Sequence, residues 1–259
     1  MKIIYQYAYL IISCYFIIIS CSSNTEPTKP DIEYPTILYP IGRIKADSIQ
    51  NSFNTSEIKI SIDDYGLFSF TDFFERGNSN ITDKSIAVKL AKESLLKYSK
   101  YSNITDTSTI ELKDAVKNDI SLTGFSDWII SFKNQKQDGI EVLHSEINVI
   151  VHDQVKRIIG HHFNDISIPK LNIFSKEKIQ EKIVGHKFEA GGKGSSEVII
   201  TSDMIIKDKI SKNIIWIELN DSIELHVVWN IPLGYSSEII RWNFYLDILS
   251  GEILSYSKN

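Results

Sequence analysis

The sequence predicts an α+β fold made of two similar halves, each an antiparallel sheet with one packed helix. Three observations support this fold class. Segments with a period of two recur between residues 58 and 254, two segments change to helical spacing, and the elements follow the order strands, helix, strands, helix, strands. With 259 residues, the chain is long enough for one large or two small domains.

The first half is predicted to contain a β-hairpin followed by the most regular helix of the chain. Isoleucines at alternate positions precede a polar turn at residues 63–66, which is typical of a half-buried hairpin. In residues 82–101 the apolar side chains fall at helical spacing, and Thr82 or Asp83 can cap the start. The predicted apolar face consists of Ala87, Leu90, Ala91, Ser94, Leu95 and Tyr98. Its two alanines predict a close approach to a sheet.

A meander of strands and a second helix are predicted after the first helix. The segments WIISFKN, GIEVLHSEINVIVH and VKRIIGHHF alternate with period two, and short polar turns at 135–139 and 153–154 join them. The segment FSKEKIQEKIVG then predicts a compact helix with Ser175 as N-cap and Gly185 just past its last turn. Further strands follow as far as Leu254.

The N-terminal residues predict export and lipidation. Residues 3–20 are almost continuously apolar, Lys2 precedes them, and the next basic residue is Lys29, which is the layout of a signal peptide. The stretch IIISC resembles a bacterial lipobox, so residues 1–20 are the expected lipoprotein signal peptide and Cys21 the lipidated residue. An uncleaved anchor and an ordinary secreted protein are the alternatives. Lipidation would place the protein in the cell envelope, anchored to a membrane on the periplasmic side or at the cell surface.

Residues 21–36 are polar, contain three prolines and are expected to form an extended spacer. The chain has two cysteines, and loss of the signal peptide would remove one of them, so no intramolecular disulfide is expected. The formal net charge of the whole chain is −5, and no stripe of basic residues is present. This charge pattern argues against a nucleic-acid partner.

Catalytic signatures are missing from the sequence. The six histidines include no H-E-x-x-H motif, no G-x-S-x-G motif occurs, and the cysteine left after processing would be acylated. We therefore expect a protein that is not an enzyme and that uses no cofactor.

One group of residues permits a metal site. With a two-residue turn at 153–154, Glu146 would lie opposite His161, with His144 diagonal to it on the same face, and two imidazoles and a carboxylate could bind zinc. The other interpretation is the polar side of a half-buried sheet, and a register change of one residue would scatter the group. We expect no metal, and His144, Glu146 and His161 are the candidate ligands if one binds.

The segment GIEVLHSEINVIVHDQVKRIIG resembles the fungalysin/thermolysin propeptide module, called FTP. The family pattern is Gly-hydrophobic-Pro-Val-Phe-Gly, an alternating strand, a turn and a second strand. Glu141 and His144 replace the family's Pro and Gly. The matching positions are Gly139, Ile140, Val142, Glu146, Val149 and Val151.

The segment WNFYLDILSGEIL is similar to the end of a PepSY domain, in which an aromatic strand precedes Asp-x-x-Thr/Ser-Gly-Glu-hydrophobic-Leu. Asp247 and Ser250 can cap a turn whose reversal needs Gly251. The matching positions are Asp247, Ser250, Gly251, Glu252, Ile253 and Leu254. The two resemblances imply an FTP-like domain at residues 37–165 and a PepSY-like domain at residues 166–259.

These resemblances imply a function in protein binding. In secreted metalloproteases of the thermolysin type, such modules form the propeptide, which assists folding of the catalytic domain and holds it inactive. The chain is accordingly expected to be an envelope lipoprotein without the catalytic domain that binds and restrains or modulates a peptidase, such as a thermolysin-type metalloprotease. A small-ligand or metal-binding lipoprotein and a non-functional relic of a truncated precursor are the alternatives.

Overall fold

The structure is a computed structural model that describes residues 33–74, 81–120, 125–170, 174–191, 196–236 and 239–258. The predicted signal peptide, Cys21 and most of the predicted spacer lie outside the described residues. Residues 33–259 form one compact unit. None of the helices in the described ranges is long and apolar enough to cross a bilayer.

The described elements are four α-helices, three single 3₁₀ turns and fifteen strands. The helices are α1 (Arg43–Phe53), α2 (Lys84–Lys97), α3 (Ser99–Ser102) and α4 (Ile179–Ile183), and the 3₁₀ turns are Lys176–Lys178, Ser202–Met204 and Lys207–Lys209. The strands are β1 (Thr36–Leu38), β2 (Ile58–Ile62), β3 (Phe68–Phe73), β4 (Leu112–Ile120), β5 (Phe125–Phe132), β6 (Lys136–Gln137), β7 (Ile140–Val142), β8 (Ile147–Val151), β9 (Val155–Ile159), β10 (Lys187–Glu189), β11 (Glu197–Ile199), β12 (Ser211–Leu219), β13 (Ser222–Ser236), β14 (Ile239–Asp247) and β15 (Ile253–Lys258).

A six-stranded antiparallel sheet has the order β2-β3-β9-β8-β5-β4. Helices α1, α2 and α3 cover one face of it. The side chains of Ala87, Ala91 and Leu95 in α2 are fully buried in the core formed with this sheet. The predicted close approach of the alanine face is therefore confirmed. Asp83 caps α2, because its carboxylate accepts hydrogen bonds from the N–H groups of Ser85 and Ile86.

Six strands of a seven-stranded sheet follow the order β15-β14-β13-β12-β7-β6. The seventh strand, β1, pairs with the first half of β13 on the same side as β14. Neighbouring strands of this sheet are antiparallel except β7 and β12, which are parallel. Helix α4 and the β10–β11 hairpin pack on one face of this sheet. Ser175 is at the N-cap position as predicted, but it precedes a 3₁₀ turn that leads into α4, and its side chain makes no capping bond. Gly185, with φ 87°, follows the helix as predicted.

The mixed α+β class is confirmed, whereas the structure does not show two self-contained halves. Strands β1, β6 and β7 precede residue 165, yet all three belong to the seven-stranded sheet. The predicted meander is accordingly interrupted, since β5, β8 and β9 pair as expected while β6 and β7 leave for the other sheet. The division of the chain at residues 165 and 166 stays a prediction, and strand pairing crosses it.

Candidate functional site

The turn between β14 and β15 is built around Asp247. Its Oδ1 atom accepts hydrogen bonds from the N–H groups of Leu249 and Ser250, at 2.8 and 2.9 Å. The Gly251 N–H donates to the carbonyl of Asp247 at 2.9 Å, and the Ser250 hydroxyl accepts from the Glu252 N–H at 3.1 Å. Gly251 has φ 68°, a conformation that glycine adopts without strain. Asp247 and Ser250 thus cap this turn, and Gly251 reverses it.

The other carboxylate oxygen of Asp247 belongs to a group of four polar side chains, here called the His226 cluster. His226 and Asp247 are buried, and Tyr34 and Glu224 are half-buried. Oδ2 of Asp247 accepts a hydrogen bond from the Tyr34 hydroxyl at 2.7 Å and lies 2.9 Å from Nδ1 of His226. Nε2 of His226 lies 2.8 Å from Oε2 of Glu224. Both ring nitrogens therefore face a carboxylate.

The charges of the His226 cluster stabilise one another. Burial lowers the pKa of His226, but the hydrogen bonds to Asp247 and Glu224 outweigh burial, so the pKa is raised above its ordinary value. Burial alone would raise the pKa of Asp247, but the bonds from His226, Tyr34 and two backbone amides hold it well below its usual range. Burial and the bond to Asp247 raise the pKa of Tyr34. Asp247 is therefore a carboxylate, and the two carboxylates favour the protonated form of His226.

Tyr34 and its neighbours correct the predicted boundary of the spacer. The Tyr34 hydroxyl accepts a hydrogen bond from the Val227 N–H at 3.1 Å, and Thr36 begins the strand that pairs with β13. The Thr36 hydroxyl accepts from the Ser167 N–H at 2.7 Å. Residues 34–36, which were predicted as extended spacer, are therefore part of the fold.

A second feature is the face of the six-stranded sheet that lies opposite α1, α2 and α3. Val116 pairs with Ile129 and Ile129 with Ile150, so these three side chains run across β4, β5 and β8 on one face. Ile159 and Phe70 are paired on β9 and β3 and continue the same face. None of the described helices packs on it. We call these five residues, Phe70, Val116, Ile129, Ile150 and Ile159, the apolar strip.

Three of the five side chains of the apolar strip are exposed, and fixed polar groups border the strip. Val116 is 49% exposed, and Ile129 and Ile159 are also among the exposed large apolar side chains. Beside them, Arg157 forms a bidentate ion pair with Asp72 and lies over the ring of Phe70. The face of an antiparallel sheet that is open to water normally carries polar residues. A row of apolar residues on such a face is therefore a candidate contact surface.

The structure places the three candidate zinc ligands in separate interactions. His144 has φ 62° between β7 and β8. Glu146 forms an ion pair with Lys113, and Nδ1 of His161 lies 3.1 Å from the carbonyl of Phe68. In the part of the chain that the structure describes, no group of three or more His, Cys, Asp or Glu side chains could hold a metal ion.

The two FTP-like positions Gly139 and Val142 have structural roles. Asp138 and Gly139 both have positive φ, at 49° and 78°, and form the two-residue turn of the β6–β7 hairpin. Val142 is fully buried and pairs with Ile214 of β12. These positions therefore connect the meander to the seven-stranded sheet.

A cleft of about 390 Å³ lies between α2 and the ends of β2, β3 and β9. Apolar side chains line it together with charged groups of both signs, Glu57, Glu93 and Lys97. Its size falls at the lower end of the range of small-ligand sites.

Sequence reasoning predicted the turn role of Asp247 but missed its partners Tyr34, His226 and Glu224. Glu224 and His226 are two residues apart in a strand whose alternate positions Ile223, Leu225 and Val227 are buried apolar residues. This alternation was the available signal that both polar side chains share one face of a sheet. Tyr34 gave no such signal, because it precedes a proline within the polar segment.

Comparisons with known proteins give one likeness to report. The chain is similar to the Bacillus megaterium YpeB C-terminal domain. The identity is 12%, the TM-score is 0.33, and the match covers 85% of this chain and 98% of that one. No protein-family model matches the chain. No curated protein matches it either. The expected membership in the FTP and PepSY families therefore stays a prediction.

Proposed function

We propose that the protein is a non-enzymatic binding protein of the cell envelope that restrains or modulates a peptidase. The observation that carries this proposal is the apolar strip, a row of apolar side chains, three of them exposed, on the face of the sheet opposite α1, α2 and α3. The proposed partner is the folded catalytic domain of a thermolysin-type metalloprotease, in keeping with the propeptide-like segments of the sequence.

The strip has the features of a protein contact surface. Its apolar residues can be removed from water on binding, at about 25 cal/mol per Å² of apolar surface. The ion pair between Arg157 and Asp72 supplies a rigid charged border, because the guanidinium is held at once by the carboxylate and by the ring of Phe70. Val116 lies on β4, the edge strand of the sheet, so a partner can contact the face and the edge together.

The test is the turnover rate of a thermolysin-type metalloprotease of the same organism, measured against increasing concentration of the full chain. We expect saturable slowing. Val116→Lys should weaken it at least tenfold, because a charge within the contact must be desolvated.

A matched control is Ile199→Lys in β11, since Ile199 is 50% exposed and Val116 is 49% exposed. This variant should slow the protease as the wild type does. Unchanged protease turnover at high micromolar concentrations of the full chain would contradict the proposal, as would equal effects of the two lysine variants.

The cleft between α2 and the sheet favours a second candidate function, the binding of a small amphipathic ligand. Its apolar walls suit a hydrocarbon or aromatic group, and Glu57, Glu93 and Lys97 suit a charged one. Leu90→Trp should fill this cleft and abolish ligand binding while leaving protease slowing intact. Native mass spectrometry of the protein purified from its own cells would show whether it carries a small molecule.

A further inference from the structure

The two most exposed large apolar side chains of the described residues lie close together in the chain. Ile44 is 89% exposed and Tyr39 is 71% exposed, and Ile86, the next in order, is only 52% exposed. Ile37, also exposed, precedes Tyr39 by two residues. We call Ile37, Tyr39 and Ile44 the N-terminal patch.

Core packing does not account for Ile44. Helix α1 turns Ala46, Ile49 and Phe53 toward β2 and Tyr101, where they form a small core. Ile44 is on the outer side of the helix, with Lys45 and Ser48 exposed beside it. Ile44 and Tyr39 are therefore available for a contact outside the fold.

Two basic residues flank Ile44 in the sequence. Arg43 pairs with Asp47 at 2.9 Å and lies 3.6 Å from Asp64, so its charge is balanced locally. Lys45 adds an exposed cation next to Ile44. An apolar side chain, a tyrosine and a lysine together are typical of segments that lie in the interface of a bilayer.

The length of chain before the described fold restricts how far the patch can be from a membrane. The fold begins near Glu33, twelve residues after Cys21. A fully extended chain spans at most about 3.6 Å per residue, so a lipid on Cys21 would hold residue 33 within about 45 Å of the bilayer. Within this distance, binding of the N-terminal patch to the bilayer would be intramolecular. The high effective concentration of the bilayer would then strengthen a weak contact.

We propose that the N-terminal patch contacts the phospholipid surface and orients the protein on the membrane. This inference rests on the proposed lipid anchor at Cys21. Because α1 packs on the helix-covered face of the six-stranded sheet, contact through Ile44 would leave the apolar strip on the opposite face free for a peptidase. The anchor and the patch would thus act together as two weak attachments that fix one orientation.

The test uses the lipidated full chain in vesicles of phosphatidylethanolamine and phosphatidylglycerol. If Cys21 is acylated and Cys14 removed, a cysteine introduced by Ile44→Cys is the only free thiol, and an environment-sensitive fluorophore can be attached to it. We expect a blue shift and quenching by brominated lipid at this position. The same label at Val116→Cys, on the apolar strip, should show neither change.

Each outcome decides between the possibilities. Equal quenching at both positions, or none at Ile44→Cys, would overturn the proposed contact. A shift at Ile44→Cys that requires added peptidase would assign the patch to a protein partner and would also overturn it. Mass spectrometry of the same sample reports acylation of Cys21 independently, so failure of the anchor is distinguished from failure of the patch. Ile44→Glu should then abolish the contact without releasing the lipidated protein.

Discussion

The ring of Phe174 occupies the space that a Cβ atom at Gly251 would fill. Phe174 is fixed there from both sides, because its N–H donates to the carbonyl of Ile248 at 2.9 Å and its carbonyl accepts from Trp229 Nε1 at 2.9 Å. Gly251 therefore serves two purposes, the positive φ of the turn and the close packing of the ring. The segment before α4 is thereby packed against the last turn of the described fold.

Gly251→Ala should destabilise the protein by about 3 kcal/mol, because left-handed strain costs about 1–2 kcal/mol and overpacking a fixed ring costs about as much again. Urea unfolding measures the change. Gly139→Ala is the matched control, since Gly139 has φ 78° and no atom within 4 Å of an added Cβ. This variant should be destabilised by the backbone strain alone, by about 1 kcal/mol. Equal losses in the two variants would contradict the packing role.

The local elements of the fold could be predicted from the sequence because each has a single periodicity. Helix α2 places Ala87 and Ala91 on one face, and the hairpin of β2 and β3 is fixed by a polar turn in which Asp63 accepts from the Tyr65 and Leu67 N–H groups. Helix α1 was not predicted. Its exposed Ile44 interrupts the apolar period that Ala46, Ile49 and Phe53 would otherwise show.

Pairing between distant segments could not be predicted from local patterns. The parallel contact of Val142 with Ile214 joins residues that belong to different predicted domains. At the site, the spacing of Asp247, Ser250 and Gly251 predicted a turn, but Tyr34 reaches Asp247 across 213 positions of the chain. A contact at that separation leaves no signal in a single sequence, because each residue is also explained by its local segment. Tyr34 fits a polar spacer, and Asp247 fits a turn.

Lipidation of Cys21 is testable although this residue lies outside the described fold. The mature protein should begin with an acylated cysteine, and Cys21→Ala should release it from the membrane fraction or block its processing. Its unfolding curve should not change, because Tyr34 is the first residue with a described tertiary contact. Cys14→Ala, inside the predicted signal peptide, should leave processing intact. Detection of Met1 on the purified protein would show that the signal is not cleaved.

The histidine pair at the end of β9 should make the protein less stable in acid. Burial, and then the neighbouring His161, lower the pKa of His162 to about 4, and burial also lowers the pKa of His161. The unfolded chain therefore binds more protons between pH 6.5 and pH 4, and stability falls as the pH decreases through this window. The His162 contribution amounts to about 3 kcal/mol at most. Urea midpoints of His162→Gln should lose much of this acid-side slope.

The His226 cluster should have the opposite effect on the alkaline side. Its raised pKa contributes stability that is complete below the unfolded-state value, about 6.5, and is lost as pH rises through the folded-state value. A neutral imidazole has one N–H and cannot donate to both Asp247 and Glu224. Glu224→Gln should flatten the alkaline slope, because an amide can donate to the unprotonated Nε2.

The two histidine variants are controls for each other. Glu224→Gln should retain the acid-side slope, and His162→Gln should retain the alkaline one, since neither histidine contributes to the pKa shift of the other. The measurement is the free energy of unfolding at half-unit steps between pH 4.5 and pH 9, with the ring protons of His226 followed by NMR. An alkaline slope that persists in Glu224→Gln would show that His226 does not donate to both carboxylates. Loss of both slopes in either variant would show a general loss of packing, because a proton-specific effect is confined to the window of its own histidine.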